Sequence, residues 1–104
     1  MQERQYELRY LPLFQRDLNE IVSYITYQLC NPEAANGLVD AIDRAITERS
    51  TCAEAFEPFR GEKTRKTTYY RIYVRNYTVF YTVIGNVMEV HRILFNKRNA
   101  AAEL

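Results

Sequence analysis

The residues best suited to chemistry lie on one short aromatic stretch, Tyr69-Tyr70-Arg71-Ile72-Tyr73-Val74-Arg75. A strand period of two places Tyr69, Arg71, Tyr73 and Arg75 on one face and Tyr70, Ile72 and Val74 on the other. The apolar set packs into a core, and the Arg/Tyr set faces outward. Arginine there can grip phosphate and tyrosine can stack on a base. Metal-free RNA cleavage needs a base for the 2′-hydroxyl, an acid for the leaving 5′-oxygen and cations for the crowded phosphate. Arg71, Arg75 and Arg98 are the catalytic candidates, although an arginine pKa lies far from neutrality for acid–base work. Tyr73, Arg92 and Lys97 are the substrate contacts, joined by Lys63, Arg65 and Lys66 of a basic loop that is equally readable as solvated surface. An inter-strand salt bridge would explain Arg92 as well as a substrate would.

Other chemistries find little footing. His91, the single histidine, stands near Glu89 and can be read as a general base or as a structural residue. Strict alternation groups it with Glu89, Ile93 and Phe95, opposite Met88, Val90, Arg92 and Leu94. Cys30 and Cys52 lack CxxC spacing, and with one histidine they do not assemble the four grouped ligands of a structural zinc site. No cofactor or metal is expected, and Cys52 has no base to make it a nucleophile.

These side chains must be positioned by a chain of 104 residues, 47% hydrophobic and 26% charged, which is a single domain spanning 1–104 in this reading. No apolar run reaches the roughly 18 residues of a membrane span, and no apolar segment follows Met1-Gln2-Glu3-Arg4-Gln5, so a cytoplasmic protein without membrane association is expected. The formal net charge of +1 hides an asymmetry. Residues 1–57 hold ten acids against five arginines, a net −5; residues 58–104 hold nine cations against three acids, a net +6. Such a basic half suits an anionic partner, nucleic acid or acidic polypeptide.

The pattern along the chain predicts α+β architecture. Tyr6–Tyr10 alternates as a strand. Phe14, Leu18, Ile21, Ile25 and Leu29 form one helix stripe after Pro12, with Asp17 and Glu20 pointing elsewhere. Asn31-Pro32-Glu33 caps a second helix carried by Leu38, Ile42 and Ile46. Periodicity fades from Thr51 to Lys66, where a mobile loop is expected. Strands at Tyr69–Val74, Tyr77–Ile84 and Val87–Phe95 follow, turning at Arg75-Asn76 and Gly85-Asn86. The order β-α-α-β-β-β predicts a helical hairpin packed on a twisted antiparallel sheet, with Tyr6–Tyr10 as an edge and a basic, flexible tail over 96–104.

Several stretches in this order resemble the RelE/ParE superfamily of bacterial type II toxins. They are Asp17-Leu18-Asn19-Glu20-Ile21 with Tyr24-Ile25, Asn31-Pro32-Glu33-Ala34-Ala35, Tyr70–Val74, Tyr77–Tyr81 and Arg92–Arg98. The resemblance implies a toxin silenced by a cognate antitoxin in a hetero-oligomer. It also implies one of two targets: messenger RNA cut on the ribosome by RelE-like members, or DNA gyrase poisoned by ParE-like members. It places Arg71 at a catalytic or phosphate-binding position, Arg98 at a C-terminal catalytic arginine, Tyr73 at a second basic position and Arg92 at a frequently basic one. Thr78 stands where relatives carry a phosphate-gripping arginine, Phe95 where many have histidine, and no tyrosine follows Arg98. Ribosome-dependent mRNA cleavage is the expectation if Arg75 compensates. A gyrase poison without catalysis, or a non-toxic antitoxin-binding member, are the alternatives. An antitoxin segment rich in acids and apolar anchors is expected on the basic sheet.

Overall fold

The computed structural model describes residues 5–58, 68–97 and 103–104. Strand β1 (Glu7–Tyr10) leads into α1 (Pro12–Ser23), a π-helical turn (Tyr24–Gln28) and α2 (Pro32–Arg49). Strands β2 (Tyr70–Val74), β3 (Tyr77–Ile84) and β4 (Val87–Phe95) complete a four-stranded sheet of order β1-β4-β3-β2. The sheet is mixed: β2, β3 and β4 form the antiparallel meander, and β1 joins the β4 edge in parallel, Tyr10 opposite Val90. A parallel partner needs a crossover, and here the hairpin supplies it. Of the expected mobile loop, 59–66 lies outside the described residues, while in the first half Ala53 is buried and accepts the Tyr81 hydroxyl.

Local signals act as written. Pro32 begins α2, and the Asn31 side chain accepts the Ala34 N–H at 3.1 Å. Gly85 turns β3 into β4 at φ +61°, where a side chain would be strained. Phe14, Ile25, Leu38, Ile42 and Ile46 meet Ile72, Val74, Val79, Tyr81, Met88, Val90 and Ile93 in one core. At roughly 1.5–3 kcal/mol per fully buried apolar side chain, this cluster is the main stabilising contact between layers.

Two departures from simple periodicity matter. The π-helical turn, in which the Leu29 N–H reaches back to the Tyr24 carbonyl, inserts an extra residue per turn. It carries Leu29 off the buried stripe, leaving it 55% exposed. The second is a bulge in β4. Phe80 pairs with Arg92 and Tyr81 with Val90, so His91 has no opposite residue. Parity changes there, and Ile93 joins Met88 and Val90 in the helix-side core, correcting the alternation read from sequence.

Candidate functional site

Arg71 and Tyr73 lie on β2, an edge strand whose intervening Ile72 and Val74 are buried in the core. The outward Arg/Tyr face is therefore present. The Arg71 guanidinium sits 5.6 Å from the centre of the Tyr73 ring, and Tyr73 is 64% exposed. One register position away, Tyr69 meets the His91 ring edge-on at 5.2 Å. Thr82 Oγ1 lies 2.9 Å from His91 Nε2, and burial pushes the imidazole below its ordinary pKa against a smaller upward pull from Glu89.

Arg75 does not share that face. It follows the strand at φ +55°, a left-handed turn position, so strand alternation no longer applies to it. Its guanidinium lies on the helix side, with Nη1 3.7 Å from where a Cβ on Gly37 of α2 would stand. Glycine at 37 leaves room for the arginine to cross the helix. The compensation expected of Arg75 for Thr78 has no geometric basis here. Thr78 itself is buried and donates to Asn96 Oδ1 at 2.6 Å, tying the ends of β3 and β4 together.

Arg92 is committed internally. Its Nε and Nη2 donate to Asp17 Oδ2 and Oδ1 at 2.7 and 3.0 Å, and Nη1 donates to the Glu103 carbonyl at 3.1 Å with the Glu103 carboxylate 3.7 Å away. Asp17 also accepts the Ile93 N–H at 3.2 Å. The reason is topological. β1 stops pairing after Val90, and the carboxylate from α1 takes the edge amide that β1 leaves bare. Asp17 was expected to point away from the core but is buried. It lies three residues after Phe14 and four before Ile21, and an acid on an apolar stripe was the signal available in the sequence.

Arg49 was also missed. Three residues after Ile46 on α2, it donates through Nη1 to the Arg71 carbonyl and the Tyr81 hydroxyl, both at 3.0 Å. Its guanidinium stacks 3.5 Å over Phe56. Tyr81 passes its own proton to the Ala53 carbonyl at 2.7 Å. Burial raises the phenol pKa, outweighing the opposing hydrogen bond and charge of Arg49, so Tyr81 remains a donor.

Of the remaining candidates, Lys97 is exposed beyond the end of β4, and Phe95 flanks α1 rather than the Arg71 face. Lys63, Arg65, Lys66 and Arg98 lie outside the described residues, as does most of the tail expected to be flexible. Its last two residues, Glu103 and Leu104, are half-buried against Arg92 and a hollow that includes Tyr69 and His91. Among the described residues no three His, Cys, Asp or Glu side chains group as metal ligands, and no helix is long and apolar enough to cross a membrane.

The model of the ParE toxin of the type II toxin–antitoxin system parDE matches residues 8–100. The chain belongs to the ParE toxin family. It is therefore a toxin of a type II toxin–antitoxin system, within the RelE/ParE superfamily that the sequence resembles. Among solved structures, the ParE-family chain is similar to one from the chromosomal ParDE system of P. aeruginosa, at 17% identity and a TM-score of 0.70, covering 88% of this chain and 97% of that one. A RelB–RelE antitoxin–toxin complex from Methanococcus jannaschii matches at 20% identity and a TM-score of 0.47, covering 86% and 91%. No curated protein matches in sequence.

Proposed function

We propose that this ParE-family toxin arrests growth by binding DNA gyrase in the cytoplasm, without cutting RNA, and that a cognate antitoxin holds it silent. The observation that carries this reading is the dispersal of the cations that RNA scission would need. Among the described residues, Arg75 is on the helix side, Arg92 is held by Asp17 and Glu103, and the arginine position of the Tyr77–Tyr81 stretch is a buried threonine. A binding toxin needs no acid–base set, only a surface matched in shape and charge. The ParE family match supports the same side of the superfamily.

The ParDE neighbour is by its title a toxin–antitoxin system, and with the family match this supports an antitoxin partner for this chain. A second reading, ribosome-dependent mRNA cleavage, keeps one observation in its favour: Arg71 and Tyr73 together on an accessible edge strand.

Inducible expression without antitoxin separates the two. Protein and DNA synthesis are pulse-labelled within minutes of induction. The expected result is early loss of DNA synthesis with SOS induction, and inhibition of gyrase supercoiling by the purified chain. Early loss of protein synthesis with cleaved transcripts, abolished by Arg71→Ala, would establish the nuclease instead.

A further inference from the structure

Arg92 is held from two sides that differ in strength. Asp17 takes two of its nitrogens at 2.7 and 3.0 Å, and the Asp17 side chain is 9% exposed. The third nitrogen serves Glu103, whose carbonyl lies at 3.1 Å and whose carboxylate, with the side chain 30% exposed, lies at 3.7 Å. The first contact is short, twofold and buried. The second is one hydrogen bond beside a long, partly solvated ion pair, of the kind that contributes little to stability. Arg92 therefore does not need Glu103 in order to stay in place, whereas for Glu103 it is a fixed anchor.

This second contact bounds a hollow of about 280 Å³. Leu13 of α1, Tyr69, His91 and Arg92 line it, with Glu103 and Leu104 as a further wall. The hollow belongs to the outward face of the sheet. Arg71, Phe80 and Arg92 stand opposite one another across β2, β3 and β4, and Tyr69 precedes Arg71 by two residues. That face is not bare. Phe80 and Leu94 are 2% and 3% exposed, yet neither belongs to the helix-side core. Glu103 and Leu104, an acid followed by an apolar side chain, are themselves half-buried on this side.

We propose that Glu103 and Leu104 form a detachable latch. The acid on Arg92 and the leucine against the hollow close the Tyr69–His91 end of the outward face, and their release opens it to a partner while Arg92 stays on Asp17. Contacts of this strength leave the open form at on the order of 1–10% of the population. A partner for the Tyr69–His91 surface then binds about 10- to 100-fold more weakly to the wild-type chain than to a permanently open one. The device is independent of which target the toxin has.

Acylation of His91 by diethylpyrocarbonate tests it, because His91 is the single histidine of the chain and reads access to the hollow at one site. At about pH 8 the imidazole is neutral in every variant, so the rate reports access and not charge. The wild-type chain is expected to react at roughly a tenth or less of the rate of the Glu103→Lys/Leu104→Ser double variant, with each single variant between them. The circular-dichroism spectrum of the double variant is unchanged, since Asp17 still holds Arg92. Salt at about 1 M speeds the wild-type reaction by about two- to fivefold, by screening the Glu103–Arg92 pair, and leaves the double variant unaffected. Tyr27→Ser, which removes an exposed ring on the π-helical turn, leaves the rate at the wild-type value. Equal rates in wild type and double variant, or a wild-type rate indifferent to salt, overturn the proposal. So does a double variant that loses its circular-dichroism spectrum, which would make the contact part of the fold and not a latch.

Discussion

The two edges of the sheet are each guarded by a charged helical side chain, but in different ways. On β4, Asp17 receives the Ile93 amide and two nitrogens of Arg92, so a buried carboxylate, a half-buried guanidinium and a backbone donor satisfy one another. On β2, Arg49 reaches the Arg71 carbonyl, a tyrosine hydroxyl and a phenylalanine ring, all neutral. Natural sheets protect their edges with charge, and both devices do so. The contrast is in what removal leaves behind. Taking Arg92 from the first leaves a buried carboxylate without its cation; taking Arg49 leaves neutral groups that water or a neighbour can serve. Of the described arginines in the basic half, Arg92 therefore belongs to the fold, and the Arg71 side chain accompanies an exposed tyrosine.

The largest expected effect follows from that difference. Asp17→Ala should cost about 3 kcal/mol, by leaving the Ile93 N–H unpaired and Arg92 with Glu103 as its one remaining described carboxylate. Urea unfolding measures it, and a loss below about 1 kcal/mol would place the ion pair in solvent. Arg49→Met should cost less, about 1–3 kcal/mol, since hydrogen bonds to neutral groups are lost while Tyr81 keeps its bond to Ala53. A double-mutant cycle over Asp17 and Arg92 should give a larger coupling energy than one over Arg49 and Tyr81; equal couplings would erase the contrast.

Smaller still is a pH effect between the two edges, at the β4 bulge. Burial lowers the His91 pKa from 6.5, so the unfolded chain binds the proton more readily than the folded one. That contribution to stability is complete above pH 6.5 and declines as pH falls toward the folded value. His91→Gln should flatten this part of the stability profile, and an unchanged slope would mean that the imidazole is solvated in the folded protein. Tyr73→Ala should leave stability within about 0.5 kcal/mol, as an exposed side chain does, so any loss of toxicity in that variant reports on binding.

Much of the architecture was legible because local chemistry and burial agree. The stripe from Phe14 to Ile25, the Asn31 cap, the Gly85 turn and the β2 alternation each state their role within a few residues. The site was less legible. Arg71 and Tyr73 take the face their spacing gives, whereas Arg75 leaves it because one left-handed residue ends the strand period. Arg92 reads as a substrate contact until Asp17, 75 positions away, is found beside it.

The sequence alone determined the kinds and order of the elements, the apolar faces they bury and the uneven division of charge. It did so because helix and strand periods, caps and turns are set by neighbours in the chain. Only the tertiary structure decided that β1 runs parallel to β4, that the bulge at His91 reverses parity, and which cations are spent on the fold. Those outcomes depend on which backbone groups the sheet leaves unpaired, and on which distant side chain is close enough to satisfy them.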